Sequence, residues 1–334
     1  MEPKTVLTGI KPTGEPHVGN FAGMIRPALA MVRQHPENRY LYFIADYHAL
    51  TVVRSAEQFR RLSYEVAAAW LALGLDPQRV LLYRQSDVSE VFELSWLLAC
   101  VTPKGLMNRA HAYKAAVAAN MDKGIADQDA GVNMGLYNYP VLMAADILLF
   151  RTDLVPVGED QVQHVEIARD IAGSFNSTFG RVLKLPEHVV TEGVGTVPGT
   201  DGRKMSKSYG NVIPLFGPRD ELRALIGRIQ TDSSPPDAPK DPDASAVFTM
   251  FRQFATEEQV RAMGERYRAG ISWADAKRAL FEAMDSFLCG PRTTYNDLIA
   301  HAEKMDAILA DGARRARALA APVMDSIRKA IGKT

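Results

Sequence analysis

Val6-Leu7-Thr8-Gly9-Ile10-Lys11-Pro12-Thr13-Gly14-Glu15-Pro16-His17-Val18-Gly19-Asn20 is the stretch whose reading decides the fold. Its apolar run ends at Gly9, and Pro12, Gly14 and Pro16 then exclude both helix and central strand. From Phe21 onward Met24, Ile25, Ala28, Leu29 and Val32 recur at helical spacing, so a helix starts as the loop ends. Strand, loop and helix start follow one another within a single short segment. Unpaired backbone N–H groups and the positive end of the helix dipole make such a junction an anion site, and Gly19 lets a ring or phosphate approach the backbone. A Gly-Asn pair at a helix start commonly does no more than cap it. The segment therefore needs a partner elsewhere in the chain.

Tyr40-Leu41-Tyr42-Phe43-Ile44-Ala45 reads as a buried strand ending at Asp46. Ser55 with Gln58 opens the next helix, which carries Phe59, Leu62, Val66, Trp70 and Leu73 inward and stops at Gly74. Val80 to Tyr83 is a third strand, Glu90 to Cys100 a helix, and Leu154 to Val157 a further strand. Strands alternating with helices at this spacing predict an α/β protein with a doubly wound parallel sheet, in which ligands bind beyond the carboxyl ends of the strands. Pro103 to Asn138 is poorer in pattern and reads as a partly helical insertion containing Lys104, Arg109, Lys114 and Lys123.

The partner is Lys204-Met205-Ser206-Lys207-Ser208, two lysines three apart in a loop preceded by Pro198, Gly199 and Gly202. Compact ammonium groups on a mobile loop suit phosphate oxygens and can stabilise charge that develops during nucleotidyl transfer. Between the two loops, Tyr139 to Phe150 reads as a helix with Pro140 at its first position and apolar residues on nearly every side. Asp146 on that helix needs a partner, since a lone buried carboxylate costs several kcal/mol as an order of magnitude. The partner is either a structural one such as a backbone N–H or a donor on a ligand. Gly158-Glu159-Asp160 between a strand and a helix over Gln161 to Phe175 offers acceptors and space for a ribose. His164 and Glu166 lie two apart on that helix and share no face, which leaves them solvent or packing roles.

The Lys204 to Ser208 loop matches the K-M-S-K-S loop of class I aminoacyl-tRNA synthetases, and Gly9 to Asn20 resembles the region around their H-I-G-H motif. The block from Tyr139 to Phe175, with Val157-Gly158-Glu159-Asp160-Gln161-Val162-Gln163-His164, resembles the bacterial tryptophanyl-tRNA synthetases, so the likeness covers most of residues 1–212. It implies a Rossmann-like catalytic domain at 1–212 that binds ATP and tryptophan. It also implies a helical anticodon-binding region at 213–334, with the last helix free to pack back on the catalytic domain. By the resemblance, Lys11, Pro12, Thr13, His17, Gly19, Asn20, Gly158, Glu159, Asp160, Val197, Lys204, Met205, Ser206, Lys207 and Ser208 surround ATP. Lys204, Lys207 and, by its place upstream of the block, Lys114 act on the phosphates. Asp146 would accept from the indole nitrogen of L-tryptophan, Met143 line the indole pocket, Gln161 hold the substrate, and His48 fall where the family has a pocket histidine. Lys11 stands where many relatives carry glutamine, and Ala115 to Asn133 is longer than theirs. The implied partners are tRNA(Trp) and a second copy of the chain, with Mg²⁺ brought in on ATP and no metal cage of protein side chains. Tyrosine is the alternative substrate within this architecture, and a catalytically silent RNA-binding relative is the alternative outside enzymes.

Composition agrees with these expectations. Among 334 residues, 39 Lys and Arg balance 39 Asp and Glu, so any polyanion site is a local patch rather than a global field. The two cysteines, Cys100 and Cys289, show no metal spacing, cannot supply the thiolates of an iron-sulfur cluster, and fit a reducing cytoplasm. With balanced charge and no apolar run long enough to span a bilayer, neither DNA nor a membrane is an expected partner. After Ser208 the composition shifts. Gln230 to Pro239 is a turn-rich connector, and the alanine- and arginine-rich remainder predicts a helical bundle, with Arg314, Arg315 and Arg317 adding local positive charge.

Overall fold

The computed structural model describes residues 2–190 and 197–333. Five strands, β1 (Thr5–Ile10), β2 (Arg39–Ile44), β3 (Val80–Arg84), β4 (Leu154–Val157) and β5 (Glu187–Val190), form a sheet of order β3-β2-β1-β4-β5. All four pairings are parallel. The strand order reverses between β1 and β4, so the crevice for a ligand opens where the loops after Ile10 and Val157 leave the sheet. β5 has no counterpart in the sequence reading. It is a four-residue edge strand with three exposed positions, so it lacks the apolar run by which a buried strand is recognised.

Helices α1 (Arg26–Gln34), α2 (Ala56–Ala72), α3 (Glu90–Ala99), α5 (Met134–Leu148) and α6 (Val162–Phe179) cover the sheet, and α4 (His111–Asp122) packs on α5. Beyond it run α7 (Arg219–Gly227), α8 (Ala246–Phe254), α9 (Glu257–Ala269), α10 (Trp273–Ala300) and α11 (Ala302–Ala330). Even strand positions such as Val6, Tyr40, Tyr42 and Leu82 join one core with α1, α2 and α8 to α10. Odd positions such as Leu7, Leu41, Phe43 and Tyr83 join another with α3, α5, α6 and the second half of α11. Trp70, fully buried on α2, is packing as expected. Helix α11 lies against edge strand β3. A Cβ at Gly312 would stand 1.9 Å from the Leu82 carbonyl oxygen, so only glycine permits this approach.

Proline accounts for two departures from the expected helices. The single helix expected from Phe21 begins instead as a short turn at Val18–Asn20 and a π turn at Phe21–Ile25, with the Arg26 N–H reaching back to the Phe21 carbonyl. Pro27 has no N–H to continue the ordinary ladder, and the wider turn takes up the mismatch. The helix expected to begin at Tyr139 begins at Met134. Asn133 caps it by accepting from the Leu136 N–H, which leaves Pro140 inside the helix rather than at its first position. The α6 helix also runs one turn past Phe175, through Phe179, which packs on Phe175 at 5.0 Å, and ends at Gly180 with φ 95°.

Candidate active site

The Lys204 to Ser208 loop is organised by Asn211. Its side chain accepts from the Ser206 N–H at 2.8 Å and donates to the Asp201 carboxylate at 2.7 Å and the Lys204 carbonyl at 3.1 Å. A Cβ at Gly199 would fall 2.3 Å from the Asn211 side chain, so this crossing requires glycine. Met205 is the buried pivot, its N–H donating to the carbonyl of buried Val197 at 2.9 Å, while Lys204 and Ser208 are exposed and Ser206 and Lys207 half-buried.

This loop rests on the loop after β1. The Met205 sulfur lies 3.3 Å from the Gly19 N–H, and a Cβ at Gly14 would stand 2.7 Å from Cδ of Lys207 and 2.9 Å from its Nζ. Val18 donates its N–H to the Ile213 carbonyl and Asn20 to that of His17, so the helix N–H groups expected to be unpaired are engaged here. A thioether is a weak acceptor, and Gly19 can exchange it for a phosphate oxygen. His17 is buried, its Nδ1 has no partner, and its backbone N–H donates to the Asn20 side-chain oxygen at 3.1 Å. Burial first, and the Lys207 ammonium second, push the imidazole down to about 4. Burial also lowers Lys207 and Lys11. Pro12 is buried and Thr13 exposed beside them.

Asp146 occupies a second cluster. Its Oδ2 takes a hydrogen bond from Nε2 of His48 at 3.0 Å, and Nε2 of Gln85 donates to both carboxylate oxygens at 2.9 and 2.8 Å. The carboxylate is therefore neither waiting unpartnered nor held by a backbone N–H. Burial raises it, and the bonds from His48 and Gln85 pull it back. His48 meets Tyr139 edge-on at 6.2 Å, and Tyr139 is bonded to Nε2 of buried His164, so His164 packs in this cluster while Glu166 faces solvent. Burial pushes the Tyr139 hydroxyl up to about 12. Met143 sits half-buried on α5 against the same core.

A line of bonds joins the two clusters. Nζ of Lys11 donates to the Thr51 hydroxyl at 2.8 Å, and that hydroxyl donates to the His48 carbonyl at 2.8 Å. Gly158, Glu159 and Asp160 stand exposed where β4 ends, with Gln161 donating to Asp160 at 3.0 Å, at the reversal of strand order facing the loop after β1. Lys114 is exposed on α4, outside both clusters. Gln85 and Thr51 were absent from the sequence reading. Gln85 alone carried a signal, a polar side chain at the carboxyl end of a buried strand. Among the described residues no three His, Cys, Asp or Glu side chains gather as a metal site. Cations facing a crevice beside a dry acceptor suit a polyphosphate bound together with a ring bearing an N–H.

Comparison with known proteins agrees with that chemistry. The sequence pattern of the family described as tRNA synthetases class I (W and Y) matches residues 1–289. A tryptophan–tRNA ligase of Pseudomonas aeruginosa is 52% identical over 330 residues, covering 98% of this chain and 73% of that protein. One from Bordetella parapertussis is 53% identical over 329 residues, covering 98% and 72%. The crystal structure of tryptophanyl-tRNA synthetase from Campylobacter jejuni, complexed with ADP and tryptophan, superposes with a TM-score of 0.87 at 42% identity, over 98% of this chain and 99% of that one.

Proposed function

The chain belongs to the class I tRNA synthetases for tryptophan and tyrosine, and from that premise we propose how its residues carry out the reaction of a tryptophan–tRNA ligase. A carboxylate oxygen of L-tryptophan attacks the α-phosphorus of ATP, the bond to the β-phosphate oxygen breaks, and pyrophosphate leaves. A ribose hydroxyl at the 3′ end of tRNA(Trp) then attacks the acyl carbon, and AMP departs. No covalent intermediate on the protein is required, so the chain works by placement and electrostatics.

The observation that carries this reading is the contact between Lys207 and Gly14 and between Met205 and Gly19, which unites two loops 186 residues apart around one crevice. Lys204 and Lys207 are assigned to the phosphates, where attraction grows as charge passes to pyrophosphate, and Lys114, exposed on α4, is the third lysine assigned to them. Lys11, Thr13, His17 and Asn20 flank the nucleotide on one side, and Gly158 to Asp160 take the ribose hydroxyls on the other. Mg²⁺ travels with ATP as part of the substrate, held by phosphate oxygens and water. Asp146 accepts the indole N–H while His48 and Gln85 orient it, with Met143 and Gln161 beside the amino acid.

Residues 213–334 are assigned to the tRNA anticodon, read by stacking and base-edge hydrogen bonds. The protein is expected to act as a cytoplasmic homodimer. No helix of the described residues is long and apolar enough to cross a membrane. Amino-acid-dependent exchange of pyrophosphate into ATP tests the assignment directly. Exchange with tryptophan and not tyrosine is expected, tyrosine-only exchange would overturn the substrate, and a monomeric mass in fully active solutions would overturn the dimer.

A further inference from the structure

Lys207 has company that the reaction does not explain. Glu15, next to the glycine over which the lysine lies, shares one guanidinium nitrogen with Glu65. Nη1 of Arg61 donates to Glu65 at 2.6 Å and to Glu15 at 3.4 Å. Glu65 projects inward from α2 at 7% exposure, and its second oxygen, Oε2, is buried with no hydrogen-bond partner. The next residue on α2, Val66, lines the same small pocket as Gly14, Asn20 and Lys207, so the lysine and this turn of α2 face one space. Tyr295 of α10 closes the group, its ring stacked on Phe216 at 4.1 Å and its hydroxyl feeling both carboxylates. Burial lowers Lys207, and the negative charges of Glu65 and Glu15 oppose part of that shift.

A buried carboxylate with one idle oxygen is unfavourable unless a second cation faces it. Arg61 satisfies the other oxygen. We propose that Glu65, supported by Glu15, is a positioning residue for Lys207: a counter-charge that parks the ammonium over Gly14 in the nucleotide-free protein and that the ATP triphosphate must displace. The carboxylates hold a fraction of the molecules in a lysine arrangement that has to be given up on binding, which weakens apparent nucleotide affinity by that fraction. Release of pyrophosphate returns the lysine to its place over Gly14, so the same counter-charge clears the loop after each cycle.

The inference rests on the assignment of Lys207 to the triphosphate, and a double-mutant cycle separates the two. Binding of a non-hydrolysable ATP analogue is measured by calorimetry for the wild type, Glu65→Gln, Lys207→Ala and the double variant. Glu65→Gln should tighten the analogue about three- to tenfold and leave tryptophan affinity within a factor of about two, and Glu65→Asp should stay near the wild type. In the Lys207→Ala background the gain should vanish. Modification of Lys207 by an amine reagent, followed by mass spectrometry against Lys204, should rise in Glu65→Gln. A gain that persists without Lys207, or nucleotide affinity that is unchanged or weaker in Glu65→Gln, overturns the counter-charge. If Lys207→Ala alone leaves analogue binding and exchange unaltered, the triphosphate assignment itself falls and the inference with it.

Discussion

Around Asp146 the partners are buried side chains, His48 and Gln85, whereas Lys207 lies half-covered over Gly14 beside carboxylates that Arg61 already shares. The first cluster is closed before any substrate arrives and sits on the sheet's own scaffold, α5 and the end of β3. The second is assembled from two loops, and its cations keep unused donors. A dry, preset acceptor discriminates between ligands, because a wrong ligand cannot repair what it disturbs. Loosely compensated cations on a loop instead favour a charge that appears only during reaction. The two regions differ in charge sign and in how completely their polar groups are partnered.

Asp146→Ala tests the closed cluster hardest. It leaves the buried His48 and Gln85 donors without their acceptor, so stability should fall by about 3 kcal/mol, seen as a lower melting temperature. Tryptophan binding should weaken about ten- to a hundredfold. Discrimination between tryptophan and its benzothiophene analogue in pyrophosphate exchange should shrink as well. A lower melting temperature with that discrimination intact would reduce Asp146 to scaffolding.

Lys207→Ala tests the open cluster. It should slow adenylate formation about a hundredfold, or roughly 3 kcal/mol in the barrier, while melting temperature and tryptophan affinity barely move. An exchange rate within a factor of about two of wild type would end the contrast.

His17 belongs to the loop cluster yet behaves as a buried group, and pH exposes it. Its folded value of about 4 lies below the ordinary 6.5, so the unfolded chain takes up more protons between those values. The stability it contributes is complete above the unfolded value and is lost as pH falls through the folded one. Going from pH 7 to pH 5 should cost the wild type about 2 kcal/mol more than His17→Asn, read from urea midpoints. Parallel pH dependence in the two proteins would refute the burial of His17 as its cause.

The smallest effect is expected at Gly14→Ala. The three atoms nearest the added methyl all belong to the flexible Lys207 side chain, which can yield. Stability should hold, and affinity for an ATP analogue should change by about two- to threefold, equivalent to roughly 0.5 kcal/mol. A collapse in stability would mean that the lysine is held as firmly as Asp146.

The sequence by itself determined the parallel sheet, because β1 to β4 are apolar runs bounded by turn residues and separated by amphipathic helices, all features read from neighbours along the chain. It also determined the chemistry of the two loops, since glycine, proline and paired lysines act through their own backbone and charge. Tertiary structure alone decided which side chains complete the site. Gln85 meets Asp146 across 61 residues, Lys11 meets Thr51 across 40, and Gly19 meets Met205 across 186. No local periodicity encodes such pairs. It also decided where helices start around Pro27 and Pro140, since a missing N–H can be absorbed by a π turn or a cap upstream as well as by a helix end. The same holds for β5, a polar edge strand that exists because β4 offers it a row of unpaired backbone groups. Local pattern fixes what a segment can be, and burial, a property of the whole molecule, selects which polar groups must find one another.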